Sequence, residues 1–227
     1  MSAKIELQHR IHVLTRKEEL DGVRVAGKVV VVLDILFATT TMVAALAGGA
    51  IEVLPVADEA EARAAGARRS QGSYVLSGEL YAETLPGFAH PAPMALLAHG
   101  VKDKTLIYST TNGTVAMMLA ASAKRVYCGS LLNARAVASH ITASHARDTV
   151  LVLCSGSGGN FNLEDFYGAG CLVDRLAGEL GERFAGKAGG GEARWDENRE
   201  AAHAISSAGS SLRASSSSIT GMPSFTG

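Results

Sequence analysis

The residues best equipped for chemistry stand in five polar clusters, four of them directly at the end of an apolar run. The first reads Asp34-Ile35-Leu36-Phe37-Ala38-Thr39-Thr40-Thr41. A carboxylate at such a point can hold a hard cation or orient a nucleophilic water. The three threonines open a helix, where hydroxyls and free backbone N–H groups favour an anion. A single cap would need only one of those hydroxyls. The second cluster, Ser109-Thr110-Thr111-Asn112-Gly113-Thr114, repeats the arrangement. Gly113 permits close backbone approach to a bound group. Two such clusters at neighbouring strand ends can grip two anionic groups of one ligand.

The third cluster runs Gly129-Ser130-Leu131-Leu132-Asn133-Ala134, in which Ser130 and Asn133 either contact a ligand or Asn133 serves as an N-cap. The fourth runs from Cys154 to Asp165 through a loop of small residues, where the amides around Ser157 and Gly158 can form an anion-binding nest. That loop lacks the lysine of a nucleoside-triphosphate P-loop. Glu164 and Asp165 open the next helix, where they either complement its dipole or turn a carboxylate toward a metal. The fifth is Gly78-Glu79 with Pro86-Gly87-Phe88. Glu79 there can complete a magnesium shell, because that ion takes few carboxylates and keeps several waters.

Together the clusters supply several carboxylates and many neutral donors, with no lysine or arginine inside the motifs. That composition suits a phosphate bridged by a divalent cation better than one held by direct ion pairs. The expected metal ligands are Asp34, Glu79, Glu164 and Asp165, with Mg2+ as the cofactor. Asp34 is the expected catalytic carboxylate. Thr39, Thr40, Thr41, Thr110, Thr111, Asn112, Gly113, Thr114, Ser130, Asn133, Ser157 and Gly158 are the expected substrate contacts. His90, His140 and His145 form no metal-ligand spacing, and a surface position on a helix is expected for the last two. The chain has no G-x-S-x-G elbow, no HExxH and no GxGxxG at a first strand–helix turn.

The elements that must position these groups alternate. Val29 to Leu33, Ile51 to Val56, Thr105 to Tyr108, Arg125 to Cys128 and Thr149 to Cys154 read as buried strands. Ala38 to Ala47, Glu59 to Ala67, Gly113 to Ala121, Asn133 to His145 and Leu163 to Leu180 read as helices. Ile5 to Leu14 is an additional strand candidate. Alternation of this kind predicts an α/β fold, a mostly parallel sheet with helices on both faces. Ligands then bind outside the carboxyl ends of the strands, where the clusters fall. Ser77 to Pro93, with three prolines and two glycines, reads as a long loop. Residues 1–188 are expected to form the α/β domain. Residues 189–227 are a polar, serine-rich tail expected to be poorly ordered, with a short helix around Asp196 to Ile205.

Bulk properties narrow the function classes. A formal charge of −1 leaves no basic surplus for a phosphate backbone, and 5% aromatics offers little base stacking, so no nucleic-acid partner is expected. No run is apolar enough for a bilayer, and Met1 to His12 lacks a signal-peptide core. The three cysteines, Cys128, Cys154 and Cys171, are expected as free thiols in a reducing, cytoplasmic setting. A homo-oligomer is left open.

The stretches DILFATTTMVAALAGGA, SGE with the later PGF, STTNGT, GSLLNA and CSGSGGNFNLEDFYGAG followed by LVDRL resemble, in this order, the 2-phosphosulfolactate phosphatase family, the ComB-like phosphatases. The resemblance covers about Asp34 to Leu176. It implies an α/β fold of the family's own kind and magnesium-dependent hydrolysis of 2-phospho-3-sulfolactate, a small doubly anionic phosphate ester, to 3-sulfolactate and phosphate. In methanogens that step serves coenzyme M biosynthesis. By the same resemblance, Asp34 matches the family aspartate, Thr39 to Thr41 the threonine run and Glu79 the acidic residue of a G-E-R-like element. Thr110 to Thr114 match TTNGT, Ser130 and Asn133 match GS-x-x-NA, and Glu164 and Asp165 match LED.

Three departures stand out. Phe37 replaces a common arginine, Leu80-Tyr81 replace arginine and glycine, and the serine-rich end replaces an ordered helical and strand segment. Arginine grips phosphate and sulfonate oxygens bidentately. The losses therefore motivate two further expectations: a phosphatase of another small phospho-acid, and a non-catalytic anion-binding member.

Overall fold

The structure, a computed structural model, describes residues 11–185. The expected tail and its short helix lie outside the described residues, as does the candidate strand before Ile11. Eight strands and six α-helices alternate, and the α/β expectation is met by two four-stranded sheets in place of one.

The first sheet has the order β1 (Ile11–Leu14), β8 (Val150–Cys154), β2 (Val29–Leu33) and β7 (Arg125–Gly129), all parallel. β2 and β8 are buried along their whole length, which is why each is an unbroken apolar run. Val29, Val31 and Leu33 face one helical layer and Val30 and Val32 the other. The first layer is α5 (Ala134–Ser144) and α6 (Leu163–Ala185). In α6, Phe166, Ala169, Leu172, Val173 and Leu176 recur at helical spacing and are all buried.

The second sheet has the order β3 (Glu52–Val56), β6 (Thr105–Ser109), β4 (Tyr74–Leu80) and β5 (Glu83–Thr84). Only the β4–β5 pair is antiparallel. Leu106 and Tyr108 face α1 (Ala38–Ala47) and α3 (Pro93–His99), whereas Ile107 faces α2 (Glu59–Ala67). The two sheets are joined through α1 and α4 (Gly113–Leu119). Ala38, Met42 and Ala45 of α1 pack with the second sheet. Ala116 and Ala120, on α4 and at its end, pack with β2 and β8 of the first.

Part of the expected 77–93 loop is ordered secondary structure. β4 continues through Gly78 and Glu79, and the turn to β5 is made by Tyr81 and Ala82, both at positive φ. Gly78 misleads as a loop signal. It is glycine because a side chain would strike the backbone carbonyl of Ser109 on β6. Pro93 misleads likewise, since it stands in the first turn of α3, where its missing N–H costs nothing.

His140 is exposed as expected, but His145 is not. Its side chain is 11% exposed and lies in a hydrogen-bonded row with Tyr127 Oη (2.9 Å) and Asp148 Oδ2 (2.8 Å). Lys124 Nζ closes the row on Asp148, whose carboxyl is held below its usual range chiefly by that lysine. The row ties the end of α5 to β7 and to the start of β8. The three cysteines are free thiols, as expected. Among the described residues no helix is long and apolar enough to cross a membrane.

Candidate active site

Asp34 follows β2 directly and is buried. Its Oδ1 accepts the Ala38 N–H at 3.3 Å, and Gly113 N–H supports the same carboxylate. Burial nonetheless pushes its carboxyl up to about 6, with the negative charges of Glu79 and Glu164 adding to the rise. Asp165, in the first turn of α6, is 1% exposed. Burial and the charge of Asp34 push it up to about 7. Its Oδ1 accepts the Ile35 N–H at 2.8 Å and its Oδ2 the Gly156 N–H at 3.2 Å. Asp165 thus pins the loop after β2 to the loop after β8.

Glu79 is committed to three donors. Oε1 accepts Thr111 N–H at 2.6 Å; Oε2 accepts the Thr111 hydroxyl at 2.9 Å and Ala82 N–H at 2.7 Å. Among the described residues Glu164 accepts no hydrogen bond, yet its charge is felt by both aspartates. Asp34, at the end of β2, is thus within electrostatic reach of Glu79 on β4 of the second sheet and of Glu164 and Asp165 in the first turn of α6.

The hydroxyl clusters behave differently from one another. Thr39 and Thr41 are fully buried. Thr39 Oγ1 donates to Asp34 O and accepts Asp34 N–H, both at 2.9 Å. Thr40 donates to Ile35 O, and Thr41 shares Pro91 O with the Tyr108 hydroxyl. The Thr39 and Thr40 hydroxyls shape the backbone that presents Asp34, and Thr41 ties α1 to the segment before α3. Thr110 and Thr114 form a reciprocal pair, each hydroxyl taking the other's N–H. The threonine run thus builds the site's walls, and Thr111 is bound into the Glu79 brace.

Gly113, at the start of α4 after β6, lies against Asp34 at the end of β2. A Cβ there would lie 2.7 Å from Asp34 Oδ2 and would also strike Ala38. Gly113→Ala is expected to destabilise the fold by roughly 1–3 kcal/mol through overpacking and, by shifting Asp34, to lower kcat about a hundredfold. Thermal melts and steady-state kinetics on the same preparation check both halves. A variant with unchanged kcat would dismiss the close approach as a determinant of Asp34's position.

Ser130 and Asn133 are bonded to each other: Asn133 Oδ1 accepts Ser130 N–H at 2.8 Å, while its amide donates to Cys128 O at 2.9 Å. Asn133 begins α5 by position, but its side chain does not cap it. Ser157 and Gly158 are exposed at the tip of the loop after β8. The loop folds on itself through Ser157 and Asn160, with Gly156, Gly158 and Gly159 at positive φ.

The five polar clusters contain no basic residue, but the fold brings two to this edge. Lys17 lies in the 3-10 turn after β1 and is buried. Its Nζ donates to Asn112 Oδ1 at 2.9 Å and to Ser155 O at 3.4 Å. Arg16 Nη1 donates to Gly159 O at 2.8 Å. The only sequence signal is their place after an apolar strand. Their arrival depends on β1 pairing with β8, far along the chain.

A family model described as 2-phosphosulpholactate phosphatase matches residues 14–218. The chain belongs to the 2-phosphosulfolactate phosphatase family. That is a family of phosphoric monoester hydrolases. A relative from Clostridium beijerinckii, named "Probable 2-phosphosulfolactate phosphatase", is 32% identical over 168 residues, 74% of this chain and 70% of its own length. Relatives with the same name from Caldanaerobacter subterraneus subsp. tengcongensis and Carboxydothermus hydrogenoformans are 40% and 39% identical, over 66% and 74% of this chain. Those matches span 61% and 68% of the relatives' own lengths, so the chain aligns with about two thirds of these family members.

Proposed function

We propose that the protein is a magnesium-dependent phosphatase that hydrolyses 2-phospho-3-sulfolactate to 3-sulfolactate and phosphate. The observation that carries this reading is the buried Asp34, raised to about 6, within a group of four carboxylates at the strand ends. Such a group is short of positive charge, which a divalent cation supplies. Among the described residues no three His, Cys, Asp or Glu side chains form a group that could hold a metal ion. A magnesium ion there would rest on one or two carboxylates and otherwise on water and phosphate oxygens. Glu164, which accepts no hydrogen bond among the described residues, and Asp34, whose Ala38 contact is long at 3.3 Å, would hold it. When bound, the ion neutralises charge developing on the phosphoryl group.

The chain's own residues do the remainder. Asp34, poised near neutrality, orients the attacking water and takes its proton. The Ala38 and Gly113 amides fix that carboxylate, and Thr39 fixes the backbone that carries it. Asp165 and Glu79 hold the loops after β2, β8 and β6 in register around it. Three free thiols support a reducing compartment, and the reading assigns the reaction to the cytoplasm.

A second substrate is favoured by one observation. Phe37 and Leu80, where the resemblance to the family implies arginine, are 47% and 53% exposed. An apolar rim suits a less charged phospho-acid. The deciding assay is phosphate release by the full chain from 2-phosphosulfolactate, with magnesium and then with EDTA, beside a panel of small phospho-acids. Metal-dependent release is expected. A folded protein that releases phosphate from none of them refutes the phosphatase reading and leaves an anion-binding protein. Release from a different acid alone moves the substrate assignment to it.

A further inference from the structure

Lys17 is the only basic side chain in the buried set among the described residues. An ammonium is costly to bury unless acceptors surround it. Here two of them are neutral, Asn112 Oδ1 and Ser155 O. The third is Glu18 Oε1 at 3.1 Å, on a side chain 42% exposed. Lys17 therefore rests on two buried-side acceptors from the strand ends of both sheets and on one solvent-facing carboxylate. Ser155, which supplies one of the buried-side acceptors, also carries a fully buried hydroxyl with no partner among the described residues. The cation bonds Asn112, whose neighbour Gly113 supports Asp34, and the unpartnered hydroxyl stands next to Gly156, whose N–H bonds Asp165.

We propose that Lys17 is the site's own cation for the oxygens of an anionic ligand, and that the Glu18 carboxylate occupies its third donor until the ligand's anionic group displaces it. The assignment rests on the phosphatase reading for the kind of ligand, a phosphorylated acid with a second anionic group. Its chemistry stands on the geometry alone. An internal carboxylate and an incoming phosphate or carboxylate are equivalent acceptors for one N–H of an ammonium. Exchange costs little, because Glu18 returns to water at the surface. Asn112 and Ser155 keep the ammonium aimed while the third partner changes. Lys17 thereby restores part of the positive charge that the motifs lack at Phe37 and Leu80.

The test is binding of inorganic phosphate to the full chain by calorimetry without metal, comparing wild type with Lys17→Met, Glu18→Gln and Glu19→Gln. Losing the charge-assisted bond in Lys17→Met should weaken binding about tenfold or more. Glu18→Gln should tighten it about threefold, the scale of an exposed ion pair removed as competitor. Glu19→Gln makes the same change in net charge, but its carboxylate is engaged with Thr15 and Arg16, so it should leave the affinity unchanged. Equal tightening in both glutamine variants would reduce the effect to net charge and overturn the proposal. So would unchanged affinity in Glu18→Gln, or wild type that binds no phosphate. If Lys17→Met does not fold, the two glutamine variants decide alone. Ester hydrolysis is measured separately, so a failed Lys17 assignment and a failed phosphatase reading give different results.

Discussion

Asp34→Asn should abolish phosphate release, by at least about a thousandfold in kcat, while the protein still folds. The amide is the same size and can still accept the Ala38 N–H through its oxygen. It cannot take a proton from water, and it is a poor ligand for a hard cation. Removing a buried negative charge also relieves Glu79, Glu164 and Asp165, so stability should hold or rise. Circular dichroism and a phosphate-release assay on one preparation separate the two effects. Turnover near wild type would remove Asp34 from the chemistry and leave it a structural acid.

The second large effect concerns pH and metal together. Asp34 and Asp165 sit at about 6 and about 7 in the fold, against 3.8 ordinarily. A raised carboxyl binds its proton more tightly folded than unfolded. Its contribution is therefore fully present below about pH 4 and is lost as pH rises through 6 and 7. Together the two groups should cost the metal-free protein several kcal/mol across that window, at about 1.4 kcal/mol for every tenfold gain in proton affinity on folding. In EDTA the melting temperature should fall from pH 5 to pH 8, and Asp34→Asn should flatten the fall. Magnesium should raise it strongly at pH 8 and little at pH 5, where protons compete for the same oxygens. A metal effect of equal size at both pH values would exclude Asp34 as its ligand.

Much of the first sheet can be read from residue types. Val29 to Leu33 and Val150 to Cys154 are buried on both faces, and only a central parallel strand asks for five such residues in a row. Asp34 stands out for the same reason, as an acid directly after such a strand, whereas Asp165 at a helix start reads equally as a complement to the dipole. The division into two sheets is not legible. Alternating strands and helices state that neighbours are parallel, not which strands become neighbours, and β3 pairs with β6 and not with β2. The threonines show the limit at the level of one side chain. Their type marks a polar loop, but a hydroxyl that turns inward to Asp34 O or Pro91 O looks the same in sequence as one that faces a ligand. Lys17 was hidden for a longer-range reason, since its partners Asn112 and Ser155 come from strands that follow far later. β4 and α3 were hidden by glycine and proline, whose usual meaning was overruled by a close backbone crossing and by a helix start.

The closeness of Gly113 to Asp34 has a bearing on how activity is lost. The carboxylate hangs from one sheet and the wall beside it from the other, with α1 and α4 between them. No half of this fold owns a usable half of the site. Loosening either sheet, even transiently, dissolves the site before any strand of the other has moved. Heat inactivation should then track the weaker sheet's opening, and amide exchange at Thr110 to Gly113 would report it ahead of the global melt.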